Sequence, residues 1–83
     1  MSEYLVKDLY EAAYLYSSKQ TLKRLAQENN YFWFVFENKV SCEKLANDYW
    51  AGKAIGNIKD YADSLQSLKK RLFAQKTVFH HTV

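Results

Sequence analysis

Residues 31–37, Tyr-Phe-Trp-Phe-Val-Phe-Glu, decide the fold of this chain. Aromatic and β-branched residues suit the pleated surface of a sheet, so this run predicts a β-strand. Successive side chains of a strand point to opposite faces. One face therefore carries Phe32, Phe34 and Phe36, and the other carries Tyr31, Trp33 and Val35.

A strand needs a partner, and the nearest candidate lies just before this one. Residues 28–30, Glu-Asn-Asn, have the composition of a turn. Residues 20–27 contain Leu22 and Leu25, whose spacing would also suit a helix. Because an isolated strand is not stable, pairing favours the strand interpretation. We predict a β-hairpin made of residues 20–27 and 31–37.

A first helix is predicted over residues 8–17. Asp8 and Glu11 fit a capping box, in which the Asp8 carboxylate accepts a backbone N–H and Glu11 reaches back to the cap. Apolar residues then recur at helical spacing. Tyr10 and Tyr14, one turn apart, add a second aromatic flank to this helix.

Two further helices are predicted in the second half of the chain. One covers residues 41–51, with Ser41 as its N-cap and Gly52 as its stop. The other begins after Asn57 and follows the 3.6-residue period through residue 73. Between them, residues 54–55, Ala-Ile, suggest a short strand at the edge of the hairpin.

The order helix, β-hairpin, helix, helix predicts an α+β fold, in which helices cover one face of a small antiparallel sheet. The chain has 83 residues, of which 48% are hydrophobic, and the aromatic residues supply much of a small core. This length fits one domain, predicted over residues 1–73, with residues 74–83 as a flexible tail.

Five segments together carry a family resemblance. They are residues 7–15 (Lys-Asp-Leu-Tyr-Glu-Ala-Ala-Tyr-Leu), 33–37 (Trp-Phe-Val-Phe-Glu), 42–45 (Cys-Glu-Lys-Leu), 49–50 (Tyr-Trp) and 68–73 (Leu-Lys-Lys-Arg-Leu-Phe). The arrangement resembles an uncharacterised family of short bacterial and phage proteins with a Lys-Asp-Leu helix, a Phe-Val-Phe strand and a Leu-Lys helix. The resemblance implies the hairpin and a phage or mobile-element origin, but no functional residue. The family usually has glycine before the first strand, where this chain has Ser18-Lys19.

The chain offers no arrangement that predicts catalysis, a metal or a cofactor. Cys42 is the single cysteine and falls in an apolar helical pattern, where a buried thiol is usual. His80 and His81 are the only histidines, and no acidic residue follows residue 63. The chain shows neither a leader nor an apolar run long enough to span a bilayer, so we expect a cytoplasmic protein without membrane contact.

Two surfaces are candidates for binding. The first is the strand face with Tyr31, Trp33 and Val35, which would stack bases or anchor a protein if no helix covers it. The second is a basic set that would contact phosphate. Its members are Lys69, Lys70, Arg71 and Lys76, joined by Lys19, Lys23 and Arg24 from the first strand of the hairpin.

These surfaces lead to two functional hypotheses. The favoured one is a non-catalytic protein-interaction module, with a protein partner or a second copy as its target; a phage factor that binds or inhibits a host protein is one form of it. The alternative is a nucleic-acid-binding protein that uses the basic terminal helix and the aromatic strand face. The aromatic excess is larger than the charge excess of +3, which favours the first.

Overall fold

The computed structural model describes the backbone of residues 3–81 and the side chains of residues 3–75. Six elements follow one another: β1 (Glu3–Val6), α1 (Leu9–Ser17), β2 (Leu22–Glu28), β3 (Tyr31–Glu37), α2 (Lys39–Trp50) and α3 (Ile58–His81). The predicted α+β order of helix, hairpin, helix and helix is confirmed, and a strand precedes it. Within residues 3–81, none of the helices combines the length and the apolar character that crossing a membrane requires.

The predicted hairpin is present. β2 and β3 pair antiparallel, with Leu25 opposite Phe34 and Glu28 opposite Tyr31. Asn29 closes the turn in the left-handed region, at φ 58°, which asparagine tolerates better than most residues. The register shifts between Leu22 and Arg24, so this strand bulges at Lys23.

The sequence did not predict β1, which adds a strand to the hairpin. β1 pairs antiparallel with β3, placing Glu3 opposite Glu37 and Val6 opposite Phe34. The strand order is β1-β3-β2, so the aromatic strand is central. The edge strand expected at residues 54–55 is wrong: this segment lies in the irregular connection between α2 and α3, and the side chain of Ile55 is 86% exposed. The strand that adds to the hairpin is β1, on the β3 side.

Helices cover the phenylalanine face of the sheet, as predicted. Phe32, Phe34 and Phe36 are all buried. α1 forms the middle of the domain, because its five consecutive residues from Glu11 to Leu15 are buried. Five successive residues point around the whole circumference of a helix, so α1 is surrounded. α3 packs mainly on α1, and Leu68 carries its contact into the core.

Caps fix where two of the helices begin. The Glu11 N–H donates to Asp8 Oδ1 at 2.9 Å, which confirms Asp8 as the N-cap of α1. Glu11 does not complete the box as predicted; its buried carboxylate accepts from the Tyr4 hydroxyl of β1 at 3.1 Å. The predicted Ser41 cap of α2 is also wrong. Asn38 caps this helix, and its Oδ1 accepts from Ser41 N–H at 3.2 Å.

The ends of α2 and α3 differ in how well the sequence predicted them. Gly52 adopts φ 75° just after α2, which is the expected glycine stop. Asn57 caps α3, since its Oδ1 accepts from Asp60 N–H at 3.0 Å. The backbone of α3 then continues to His81, beyond the end expected at residue 73. That the tail from residue 74 is flexible stays a prediction.

A strained residue lies in the connection between α1 and β2. Lys19 adopts φ 71° in the connection between α1 and β2. A side chain with a Cβ in this left-handed region is strained, whereas glycine is not. The Gln20 N–H donates to the Leu15 carbonyl at 3.1 Å across this turn, so the chain reverses tightly there. A glycine at position 19 would relieve this strain.

Candidate interaction surfaces

The second face of the sheet has no helix over it in the described part of the chain. The pairing registers of β1 and β2 with β3 place nine residues on this outer sheet face. They are Glu3, Leu5, Arg24, Ala26, Glu28, Tyr31, Trp33, Val35 and Glu37. The face therefore mixes aromatic, apolar and charged side chains.

Val35, a candidate for partner binding, does not contribute an exposed surface. Its side chain is only 1% exposed, although it lies on the outer sheet face. Arg24 on β2 reaches Glu3 on β1, with Arg24 nitrogens 3.3 and 3.4 Å from the two carboxylate oxygens. These strands flank the central strand and lie roughly 9–10 Å apart, so the paired side chains extend over it. Leu5 of β1 and Arg24 of β2 lie directly opposite Val35, so side chains from both neighbouring strands flank it.

Glu3 is the centre of this charged bridge. Lys23 Nζ lies 2.8 Å from its second oxygen, so two basic residues share one carboxylate. Hydrogen bonds from Lys23 and then Arg24 lower the pKa of Glu3 below its ordinary value. Both bases were predicted to contact phosphate, and in the structure both are engaged by Glu3.

The aromatic pair of the outer sheet face is also engaged within the chain. The rings of Tyr31 and Trp33 meet edge to face, with centroids 6.0 Å apart. Lys7 Nζ lies 4.2 Å from the Tyr31 centroid, a cation–π contact. Trp33 Nε1 donates to Glu28 Oε1 at 2.9 Å, and its side chain is half-buried. The structure thus keeps Tyr31 and Trp33 together, with part of their surface already in use.

The predicted basic set is divided between the two layers of the domain. Lys69, Lys70 and Arg71 are exposed on α3, which packs on the helical side of the sheet. The Arg71 guanidinium lies 6.0 Å from the centroid of the Tyr16 ring. The Arg24 side chain lies on the opposite side of the sheet, as the register requires. The side chain of Lys76 falls outside the described residues.

A surface that the sequence did not predict is formed where the three helices meet. Tyr14 of α1, Tyr49 of α2 and Tyr61 of α3, with Ser17, line a cleft of about 190 Å³ that residues 54–58 close on one side. The Tyr14 and Tyr49 rings stack with centroids 5.8 Å apart. We call this the tyrosine cleft.

Hydrogen bonds from two of its tyrosines tie the tyrosine cleft to neighbouring backbone. The Tyr14 hydroxyl donates to the Ile55 carbonyl at 3.5 Å, at the outer limit of a hydrogen bond. The Tyr61 hydroxyl lies 3.4 Å from the carbonyl of Tyr10, one turn before Tyr14 on α1. These bonds link the connection between α2 and α3, and α3 itself, to the buried helix α1.

Large apolar side chains border the tyrosine cleft and are open to water. Ile55 is 86% exposed, Ile58 is 85% exposed and Trp50 is 64% exposed. The Trp50 ring meets Tyr49 edge to face, with centroids 5.0 Å apart. Tyr10, 51% exposed, lies one turn from Tyr14 on α1. We call Trp50, Ile55 and Ile58 the apolar rim of the cleft.

Two tyrosine hydroxyls of the cleft, those of Tyr49 and Tyr61, have raised pKa values. Burial raises the pKa of Tyr49 and Tyr61 above the ordinary value, and the Asp8 carboxylate adds to both increases. For Tyr61 the neighbouring Tyr49 contributes more than Asp8. The residues that line the cleft include no lysine or arginine.

Sequence reasoning missed the tyrosine cleft because its parts lie on four separate elements. The spacing of Tyr10 and Tyr14 and the pair Tyr49-Trp50 before Gly52 were visible, but the same pattern also fits core packing. A signal was present in Ile55 and Ile58, since two isoleucines flank a glycine and an asparagine in a segment of turn composition. Ile55 lies in the connection and has no strand or helix face to occupy, and Ile58 is the first residue of α3.

The remaining candidate groups are the Cys42 thiol and possible metal ligands. Burial raises the pKa of the Cys42 thiol to about 11, and its Sγ donates to the Glu37 carbonyl at 3.3 Å. The thiol is therefore protonated near neutral pH, the unreactive form. Among the residues whose side chains are described, no three or more His, Cys, Asp or Glu come together as a metal site. The pair His80 and His81 lies outside them.

Comparison with known proteins assigns the chain to a family. The model of a family described as a domain of unknown function (DUF5659) matches residues 1–74. No curated protein and no solved structure matches the chain. The family match covers all of the first five elements and most of α3, and it confirms the resemblance to an uncharacterised family. The chain therefore belongs to the DUF5659 family of domains of unknown function.

Proposed function

We propose that this domain is a non-catalytic protein-interaction module that binds its partner through the tyrosine cleft and its apolar rim. The observation that carries this proposal is the exposure of Ile55, Ile58 and Trp50 beside a concave aromatic surface. Large contiguous apolar patches are rare on monomers, since they cost solubility, and they mark interaction sites.

The composition of this surface supports a protein as the partner. Tyrosine and tryptophan are enriched among the residues that dominate the binding energy of protein interfaces. Such residues contribute most when they pack in pockets that exclude water. The tyrosine cleft supplies such a pocket, and the apolar rim supplies groups that lose water on binding. Since residues 11–15 of α1 beneath it are buried, this part of the surface is already ordered before association.

A specific observation supports the alternative function, nucleic-acid binding. Lys69, Lys70 and Arg71 are exposed next to one another on α3, and no acidic residue follows them. Their separation from Lys23 and Arg24, which are paired with Glu3, reduces the basic surface to this one helix. A phosphate-binding groove usually tracks several contacts along the strand, so this arrangement favours the protein partner.

The family resemblance extends the proposal to the origin of the domain and of its partner. We infer that the partner is a host protein of the cytoplasm and that the domain is encoded by a phage or mobile element. The domain would then act by occupying a surface of the host factor. Occupying a surface requires no catalytic group, only a stable fold and an exposed apolar contact.

Affinity capture from cells that encode the chain, after nuclease treatment, tests the proposal. We expect the wild-type chain to recover one protein, or a second copy of the chain, at a constant ratio of partner to captured chain. The same complex should form from purified components, and sedimentation should detect it. An Ile55→Asp/Ile58→Asp variant should lose it, because two charges would be buried at the interface.

A Lys69→Glu/Lys70→Glu/Arg71→Glu variant serves as the matched control, since it changes exposed residues of α3 away from the cleft. We expect it to bind the partner as wild type does. The opposite pattern would contradict the proposal. It would consist of single-stranded oligonucleotide binding that weakens steeply with salt, survives the isoleucine changes and is abolished by the glutamates.

A further inference from the structure

We propose that the tyrosine cleft receives the cationic side chain of a lysine or arginine of the partner protein. This inference rests on the proposed function and names the chemistry that the cleft recognises. Tyr14, Tyr49 and Tyr61 line the space, and none of the described residues that line it is basic. The face of an aromatic ring carries negative potential and attracts a cation within about 6 Å of its centroid.

A fixed carboxylate strengthens this preference. Asp8 caps α1 through its bond with Glu11 N–H at 2.9 Å, which holds the side chain in place. The same carboxylate helps to raise the pKa of both Tyr49 and Tyr61. A negative charge that disfavours a tyrosinate at these hydroxyls favours a cation at the same place. The nearby cation Lys59 is itself compensated by Asp63, 3.1 Å away.

The size of the cleft suits one side chain. Its volume of about 190 Å³ lies below the roughly 300–1,000 Å³ of pockets for drug-sized molecules. A terminal ammonium or guanidinium group, delivered on its aliphatic stem, requires less space. The apolar rim would contact that stem, since lysine and arginine bury their methylene groups against apolar surfaces.

The same kind of contact already exists elsewhere in the molecule. Lys7 Nζ lies 4.2 Å from the Tyr31 centroid and 5.6 Å from the Trp33 centroid on the outer sheet face. There the chain supplies its own cation to an aromatic pair. At the tyrosine cleft the rings are present and the Asp8 carboxylate acts on two of them, but the described residues that line the cleft supply no cation.

Titration of the full chain with choline and with 3,3-dimethylbutanol tests the inference. The two probes have the same shape, and only choline carries a charge. Amide chemical shifts are followed by NMR at constant ionic strength. We expect choline to shift the signals of Tyr49, Tyr61 and residues 54–58, and to bind roughly threefold to thirtyfold more tightly than the alcohol.

Two charge variants sharpen this comparison. Asp8→Asn keeps a good N-cap and removes the charge, so choline binding should weaken roughly two- to fivefold while alcohol binding stays the same. Glu37→Gln removes a charge from the outer sheet face and should change neither. The comparison of the two probes on wild type stands without these variants, should Asp8→Asn fail to fold.

Each result decides the inference. Equal or tighter binding of the alcohol would overturn it and point to an apolar side chain, including one from a second copy, as the occupant. Choline shifts that map to Lys7, Tyr31 and Trp33 rather than to the cleft would also overturn it. If the isoleucine variant loses the partner while choline shows no preference, the proposed function stands and this inference alone fails.

Discussion

The outer sheet face and the tyrosine cleft are built from similar residues, but they differ in how many contacts these residues make within the chain. On the sheet, Lys7 lies over Tyr31, Glu28 accepts from Trp33, and an ion pair reaches over Val35. At the cleft, the tyrosines contact one another, and Ile55 and Ile58 remain more than four-fifths exposed. Aromatic content alone therefore does not identify a binding surface. What distinguishes the two regions is whether the chain supplies partners for its own aromatic and apolar groups.

The largest expected difference between the two regions is in stability. Val35→Asp would place an unpaired charge under the ion pair, and we expect it to cost at least about 3 kcal/mol of the free energy of unfolding. Ile58→Asp also replaces an apolar side chain with aspartate, but at an exposed position. Its free energy of unfolding should stay within about 0.5 kcal/mol of wild type. Urea unfolding followed by tryptophan fluorescence measures both.

Equal stability of the two aspartate variants would break the comparison. It would mean either that water reaches Val35 freely or that Ile58 is packed in the folded protein. A Val35→Ala variant provides the control for lost volume, since it removes apolar surface without introducing a charge.

Alkaline pH should act on the helical side of the domain. Burial, together with Glu11, raises the pKa of Tyr4 from 10.0 to about 12, and the pKa values of Tyr49 and Tyr61 are raised as well. The folded state therefore holds these protons more tightly than the unfolded state. This contribution is complete below pH 10 and is lost as the pH rises from 10 towards 12.

Thermal unfolding measured across this pH range tests the sign and the source of the effect. For Tyr4 the loss should fall short of the roughly 2.7 kcal/mol that two pKa units represent, because the residue is only half-buried and water screens its charge. Tyr49→Phe should make the decline shallower by removing part of the contribution of the cleft. Stability that rises between pH 10 and 12 would contradict the assignment.

The smallest expected effect concerns the charged bridge of the outer sheet face. Glu3→Gln should lower stability at low salt, because Glu3 serves two bases, and high salt should reduce the difference. Asp63→Asn breaks the exposed pair with Lys59 and should cost only about 0.3–0.5 kcal/mol. Chemical denaturation at two ionic strengths compares them. If Glu3→Gln costs no more than Asp63→Asn, then the bridge adds nothing to the cover over Val35.

The elements that sequence reasoning predicted are those with a strong local signal. The run at residues 31–37 has no reasonable alternative to a strand, and Asp8 and Asn57 are caps that act within three residues. β1 was missed because a four-residue strand has too few positions to show a period. Its pairing with β3 is decided by contacts far along the chain.

Two features of the candidate sites could not be read from the sequence, for one physical reason. Alternation fixes which face of the sheet Val35 joins, and not what lies over that face, so the sequence left its exposure open. Side chains of the neighbouring strands contribute to that cover, among them Arg24 and Glu3, whose ion pair joins residues 21 positions apart. Likewise, the tyrosine cleft requires the packing of three helices, which no single segment encodes. Local pattern gives orientation, and tertiary contact gives exposure.

The central position of β3 also sets an order of assembly. β2 and β3 are joined by a tight turn at Asn29, so they can pair as soon as both have been synthesised. β1 meets the same strand from the other side, and its Val6 pairs with Phe34, 28 positions later. Closing that longer loop costs more chain entropy, so the hairpin forms first and provides the template on which β1 adds. Until then, the open edge of β3 is the part of the nascent chain most exposed to wrong pairing.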